Sequence, residues 1–524
     1  MSSTRARAFL VGAAAGALAL FLSYILRIYA GGSFLPELAA QTLVSFTPGS
    51  IESGAVETLG SLAKYTAFSV AVVVNVSLYG LIAVLLVGWG GGLRLRSTLG
   101  RHLSAFVLAF AVIMGISLAL QQATQIATQR ADLLTLTAEV ALTSLVFGFT
   151  FSEIGDRYGL FSAAATTSKL AKMEPADRNR RLIIKSGVAL GAAIALLYLG
   201  FDVLTRQSVS APTVSTSTFY AGEVTSNDQF YRVDINIFPP SVDGNSWNLS
   251  VGGLVDNPQG FSLADLTSMP SVEEYATLEC VSNTVGGNLM SSALWKGVRL
   301  SDVLQKAGVG QSASYVVFNC TDGYDVGIPL PAALADGTIL AYEMNGQQLS
   351  AEHGYPLRAI VPGFYGMMNP KWITGIQLTD KVYLGFWQQR GWANAAMYQT
   401  ESAVVTVGGS GLAGRFGIAS PSTLASGTSA TVAGVAFAGD RGISKVEVSF
   451  DGGNTWSAAT LKPPLSGYTW VLWSIQWIPP GPGDYKIEVR ATDGDGNLQT
   501  SVAADPFPNG ATGYDSVGVS ATQQ

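Results

Sequence analysis

Charge is what this chain of 524 residues lacks: Asp, Glu, Lys and Arg make up 13% of it, against about 25% in ordinary soluble domains. Thiols and imidazoles are scarcer still, with two of each: Cys280 and Cys320, His102 and His353. Two cysteines exclude a disulfide-rich scaffold and any four-Cys zinc or iron–sulfur site. Two histidines provide no bis-His haem pair among the apolar segments, and no C-x-x-C-H site is present, so no haem is expected. The shortage of charge is uneven. Residues 1–206 carry 16 Lys/Arg and 10 Asp/Glu, net +6, while residues 207–524 carry 14 and 26, net −12. A basic apolar half joined to an acidic, Gly- and Pro-rich half reads as a membrane domain plus a water-exposed one. The acidic half would repel phosphate, which excludes nucleic acid as a partner.

Five stretches, near 8–30, 65–88, 103–121, 133–152 and 183–203, are long and apolar enough to cross a bilayer, making membrane lipid a partner. The first is too long for a signal-peptide core and is read as retained. Basic residues fall in alternate loops. Arg5 and Arg7 precede the first span, Arg94, Arg96 and Arg101 follow the second, and Arg157, Lys169, Lys172, Arg178, Arg180 and Arg181 follow the fourth. The positive-inside rule then places the N-terminus in the cytoplasm and everything after residue 206 outside. Residues 180–185, RRLIIK, resemble a twin-arginine export signal, a route for folded, cofactor-loaded domains. The same arginines also serve topology alone. Glu139 within the fourth span is a candidate for proton or quinone handling, with Gln121 or Thr143 as its polar neighbour; His102 lies at the edge of the third.

The Ser/Thr-rich segment 207–222 reads as a linker. From 223 to 400 short strands such as 247–251 and 315–319 alternate with helical pieces such as 300–307, the pattern of a compact α+β domain. From 401 to 524 alternating strands at 444–450, 469–477 and 484–491 are divided by Asp/Gly turns, as in an immunoglobulin-like β-sandwich. Those turns lack the ligand spacing and terminal Glu of a calcium loop. Cys280 has three readings on composition: a buried inert thiol, half of a Cys280–Cys320 disulfide, or a soft metal ligand.

The surrounding sequence is more specific. EYATLECVSNTVGGNLMSSALWKGVRL (274–300) resembles the cofactor-cysteine segment of the sulfite oxidase family of molybdopterin enzymes. The likeness continues in ILAYEMNGQQLSAEHGYPLRAIVPGFYGMMNPKWITGIQL (339–378), YLGFWQQRGW (383–392) and VEVSFDGGNTWSAATL (446–461), in the family's order. It covers about residues 225–520, with the five spans resembling membrane-anchored prokaryotic members. The resemblance implies a molybdenum–molybdopterin cofactor, with Cys280 as the metal's protein ligand and a catalytic residue. A thiolate suits that soft ligation. It implies a core role for Cys320.

By the same resemblance His353 and Arg358 match contacts to the pterin and its phosphate. Asn369, Pro370 and Lys371 match the loop holding the pyranopterin. Asn227, Tyr231 and Arg232 resemble the first cofactor-contacting strand, and Thr321 is a further candidate. Tyr324 matches the catalytic tyrosine beside the metal-bound oxygen, and Asn283 orders the cysteine loop. Two family arginines are missing: their places fall near Thr284–Val285 and at Met367–Met368. A dianion needs positive charge in such a pocket, so the departures weaken sulfite as substrate; Arg232 and Arg390 are the candidates to replace them.

The expectation is therefore a membrane-anchored oxidoreductase facing outward, moving an oxygen atom to or from a small sulfur or nitrogen compound. The alternatives are a methionine-sulfoxide or other S-/N-oxide reductase, and a non-catalytic surface-binding module. Electrons would pass to or from a quinone or a separate redox carrier, and the C-terminal domain would pair two copies in a homodimer.

Overall fold

The computed structural model describes residues 3–30, 32–59, 62–89, 97–124, 132–158, 160–161, 223–408 and 423–523. The fifth expected span, the twin-arginine segment and the linker lie outside the described residues. The described parts of 1–46 and 64–210 form one compact unit, and those of 47–63 and 211–524 a second.

The first six helices are α1 (Ser3–Ala30), α2 (Leu35–Phe46), α3 (Gly49–Leu59), α4 (Leu62–Trp89), α5 (Thr98–Ala123) and α6 (Leu133–Arg157). Four segments, Thr4–Tyr29, Ala63–Gly88, Thr98–Ala123 and Leu133–Arg157, are long and apolar enough to cross a membrane. Their ends follow capping chemistry. Ser97 accepts from the Gly100 N–H at the start of α5, and Asp132 accepts from Leu134 and Thr135 at the start of α6. α1 and α4 pack backbone to backbone: a Cβ at Gly12 or Gly16 would overlap Ala83 or Tyr79. Val70, Val73, Val74, Leu81 and Leu85 of α4 point outward, an apolar face that suits lipid.

Glu139 is buried on α6, but its carboxylate meets neither Gln121 nor Thr143. It accepts from the Ser23 hydroxyl (2.7 Å) and the Ser33 N–H (2.6 Å), fixing the chain where it leaves α1. The Thr143 hydroxyl bonds the Glu139 carbonyl instead. Glu37 on α2, fully buried, is paired with Arg27 at 3.1 Å.

The second unit holds two five-stranded sheets followed by a pair of sheets. In one, the strands run 259–262, 248–253, 373–379, 315–320 and 325–329, with 248–253 and 373–379 parallel. In the other, Val272–Glu279 pairs with Met290–Arg299, which pairs with Ile339–Met344. The helix Leu300–Ala307 sets Leu300, Val303, Leu304 and Ala307 on one buried face, the i, i+3, i+4, i+7 stripe expected of it. Phe230, Ala293, Trp295 and Ile360 are among the side chains filling the core beside the second sheet. After residue 400, four strands led by Glu401–Val407 and five that include Gly483–Asp493 share one core of Trp473, Trp477, Val446, Val489 and Val519. α3 also belongs to this second unit, although its sequence lies between two apolar helices.

Candidate functional site

Cys280 follows the strand Val272–Glu279 and begins a loop. Its N–H donates to the Leu289 carbonyl (2.9 Å), and its own carbonyl accepts from the Asn283 N–H (2.9 Å). Asn283 ties that loop: its amide donates to Glu279 (2.8 Å) and its oxygen accepts from the Leu289 N–H (2.9 Å). The sulfur lies 3.0 Å from the Ser282 hydroxyl. It also lines a cleft of about 820 Å³, a figure that includes the open solvent at its mouth. Burial pushes the thiol up to about 12, so it is protonated until a metal displaces the proton. Both cysteines are free, which removes the disulfide reading. Cys320 is buried at the end of its strand and does not line the cleft.

Behind the loop, the Glu279 carboxyl faces that of Glu401, both buried. Burial raises both above the ordinary carboxylic range, most strongly Glu401. Two such carboxyls share a proton rather than both ionise.

His353, Arg358, Asn369, Pro370, Lys371, Tyr231 and Tyr324 all line the cleft with Cys280. His353 Nε2 is 2.6 Å from the Asn227 carbonyl. That acceptor fixes the proton on Nε2, and burial lowers the imidazole to about 4, leaving it neutral at pH 7. The Arg358 guanidinium lies over Trp295, 4.7 Å from its ring centre, and donates to the His353 carbonyl at 3.2 Å. Lys371 bonds Asp234 at 3.0 Å and the Glu352 carbonyl at 3.1 Å, and burial lowers it to about 8. Asn369 ties its own loop, accepting from the Val361 N–H (2.6 Å) and donating to the Phe364 and Tyr365 carbonyls.

Other expected positions work differently. Asn227 turns its side chain to Met344, Gln347 and Asn345, and offers its carbonyl to His353. Thr321 bonds the Trp372 carbonyl and lies off the cleft. The Tyr324 hydroxyl donates to the Met367 carbonyl (2.6 Å), leaving its lone pairs for a ligand. Neither candidate replacement arginine lines the cleft. Arg232 pairs with Asp234 at 2.7 Å, and Arg390 lies over the Phe386 ring. Of the Met367–Met368 pair at the place of a missing arginine, Met367 lines the cleft, while Met368 is buried with its sulfur accepting from Gln388 (3.2 Å). The 3₁₀ turn Gly366–Met368 sets that difference. Thr284 is off the cleft as well. Sequence reasoning missed Ser282, Asp234, Trp387, Trp392 and Glu52, which line it.

The residues suit a molybdopterin on one structural test. Arg358 Nε is buried and has no hydrogen-bond partner among the described residues, in a cleft that also presents Lys371. An unmet guanidinium donor calls for an anionic acceptor. Among the described residues no cluster of three His, Cys, Asp or Glu could hold a metal ion by protein groups alone.

Residues 236–387 match the oxidoreductase molybdopterin binding domain family, and residues 420–504 the Mo-co oxidoreductase dimerisation domain family. An uncharacterized oxidoreductase of Bacillus subtilis (strain 168), YuiH, is 36% identical over 186 residues, 33% of this chain and 92% of that protein. The sulfite oxidase of Gallus gallus is 30% identical over 323 residues, 54% of this chain and 69% of that protein. The mitochondrial sulfite oxidase of Homo sapiens is 31% identical over 302 residues, 51% of this chain, and the match spans 55% of that relative's length. The crystal structure of the sulfane dehydrogenase SoxCD from Paracoccus pantotrophus aligns over 61% of this chain and 90% of that one, with a TM-score of 0.49 and 20% identity. The matched domains make this an enzyme of the molybdopterin-dependent oxidoreductase class. Within that class, the chain belongs to the sulfite oxidase family.

Proposed function

We propose that the protein is a membrane-anchored molybdenum oxidoreductase whose second unit lies outside the cytoplasm and transfers an oxygen atom to or from a small sulfur or nitrogen compound. The observation that carries this reading is the Cys280 thiol opening into the same cleft as Arg358, Lys371 and His353. Cys280 would ligate the molybdenum, and the two cations with His353 would hold the anionic pterin end. When bound, the cofactor supplies oxygen-atom transfer and a two-electron store. The chain's own residues orient it. Asn283 fixes the cysteine loop, Asn369 the opposite loop, and the Asn227 carbonyl holds His353 neutral, with its proton on Nε2. Tyr324 keeps a hydroxyl oxygen at the cleft wall, where it can accept from a substrate or water.

In the reducing direction an S–O bond breaks, and the oxygen leaves as water with two protons. Two electrons come from a quinol or a separate redox carrier. Oxidation of sulfite is the reverse bookkeeping: water supplies the oxygen, and two protons and two electrons leave. The dianion needs cations near the thiol; neither candidate arginine lines the cleft, and its two cations, Arg358 and Lys371, are assigned to the pterin end, so an S- or N-oxide reductase is the favoured direction. The four apolar helices support anchoring, and the outward placement of the second unit rests on the basic alternate loops together with the fifth apolar stretch, 183–203, of the sequence. The immunoglobulin-like reading of residues 401–524 rests on two sheets sharing one core, and the dimerisation-type match supports a homodimer through that region. Purified full-length protein, assayed for molybdenum and for turnover of sulfite, methionine sulfoxide and other S-oxides, tests the reading. Absence of molybdenum from protein made in a cofactor-competent host would overturn it.

A further inference from the structure

One wall of the cleft comes from far away in sequence. Glu52, on α3, lines it together with Cys280, Tyr324, Trp387 and Trp392. The Trp392 side chain bears on its carboxyl and favours the ionised form. The start of α3 is pressed onto the same rim. A Cβ on Gly49 would lie 2.8 Å from Trp392 Nε1 and 2.9 Å from both the Arg390 carbonyl and Phe507 Cε2. Trp392 and Phe507 in turn meet edge to face at 5.2 Å. α3 and the cleft belong to one compact unit, so the helix is a built part of the site.

Charge gives this wall its meaning. Of the cations that line the cleft, Lys371 is engaged by Asp234 and the Glu352 carbonyl, and Arg358 donates to the His353 carbonyl, its remaining Nε donor being the one assigned above to the cofactor's anionic end. The charged groups bearing on the Cys280 sulfur, Glu52 and Glu279, are both carboxyls. Where a sulfite-binding pocket needs cations, this one presents aromatic edges and an acid. Like charge brought together in a partly desolvated site discriminates strongly.

We propose that α3 is a fixed wall of the substrate cleft and that Glu52 is a specificity-determining residue, turning away dianionic oxyanions such as sulfite in favour of uncharged S- or N-oxides. This rests on the molybdenum-site reading above. Burial raises the Glu52 carboxyl to about 7, so the discrimination is measured at about pH 8.5, where the acid is ionised.

The test uses full-length, molybdenum-loaded protein in detergent and two unreactive probes of similar shape, sulfate and dimethyl sulfone. Dissociation constants come from titration calorimetry. Wild-type protein is expected to bind the sulfone more tightly than sulfate. Glu52→Gln keeps an oxygen for Trp392 and should tighten sulfate by at least about tenfold, with the sulfone within about twofold. Gly49→Val wedges the helix off Trp392. It should raise hydrogen exchange across residues 49–59 by at least about tenfold relative to wild type. An unchanged sulfate-to-sulfone ratio in Glu52→Gln, with molybdenum bound, overturns the inference and leaves the oxidoreductase reading standing. Fast exchange of residues 49–59 already in wild type removes the wall and overturns it too. Protein without molybdenum overturns both.

Discussion

The surroundings of the two cysteines differ in one respect that decides everything else. Both thiols are buried, free and raised by burial. Cys320 closes a strand, its N–H held by the Tyr324 carbonyl at 3.0 Å, and its surface is spent on packing. Cys280 sits one residue past a strand, in a loop that Asn283 draws tight, and part of its surface faces the cleft. Burial alone therefore does not separate a structural thiol from a ligand. What separates them is whether the loop leaves the sulfur an open side.

The contrast breaks most sharply at the ligand. Cys280→Ser puts a harder, less acidic oxygen where a soft thiolate is needed. Turnover should fall by at least about 100-fold, with pterin still measurable in the protein; near-normal rates would end the ligand assignment.

Acid should weaken the fold through the buried imidazole of the cleft. His353 titrates near 4 in the fold against an ordinary 6.5, so the unfolded chain takes up the proton first. The stability this holds is complete above pH 6.5 and is lost as the pH falls towards 4. A fall from 6.5 to about 4 amounts to about 3 kcal/mol. His353→Gln should flatten the fall of the thermal midpoint between those values, and an unchanged slope would show that other groups dominate.

Loosening the loop without touching the sulfur is a finer probe. Asn283→Ala strands the Leu289 N–H and the Glu279 carboxyl, a loss of about 1–3 kcal/mol. Melting temperature should drop, and bound molybdenum should fall with it. The smallest effect is expected at the other thiol. Cys320→Ser should keep turnover within about twofold of wild type and cost about 1 kcal/mol of stability, measured by thermal unfolding. A large loss of activity would mean that the two cysteines are not separable.

Much of the cleft was legible because its residues sit in continuous motifs. HGYPLR and NPKW put His353, Arg358, Asn369, Pro370 and Lys371 on two loops that the fold brings together. Four apolar helices were legible from length and hydropathy, with ends within several residues of those expected. Three things were not. Which of Met367 and Met368 faces the cleft depends on a single 3₁₀ turn, and motif alignment does not resolve one residue of rotation. Asn227 contributes its backbone carbonyl, a group that every residue carries. Glu52 belongs to a short helix between apolar segments, more than two hundred residues from Cys280, and no local pattern ties it to the cleft.

The shared proton of Glu279 and Glu401 has a practical consequence for anyone trimming the gene. A cut at residue 400, where the composition changes, falls between the two acids. It would leave the Glu279 carboxyl enclosed beside the cysteine loop with its partner gone. The Arg441 guanidinium that holds the Tyr398 carbonyl at 3.0 Å would be removed as well, and Tyr398 in turn receives the Glu279 N–H at 3.3 Å. A fragment ending there should therefore show a slack cysteine loop rather than a clean minimal domain. The C-terminal sheets back the Cys280 loop, and they must travel with it into any shortened version.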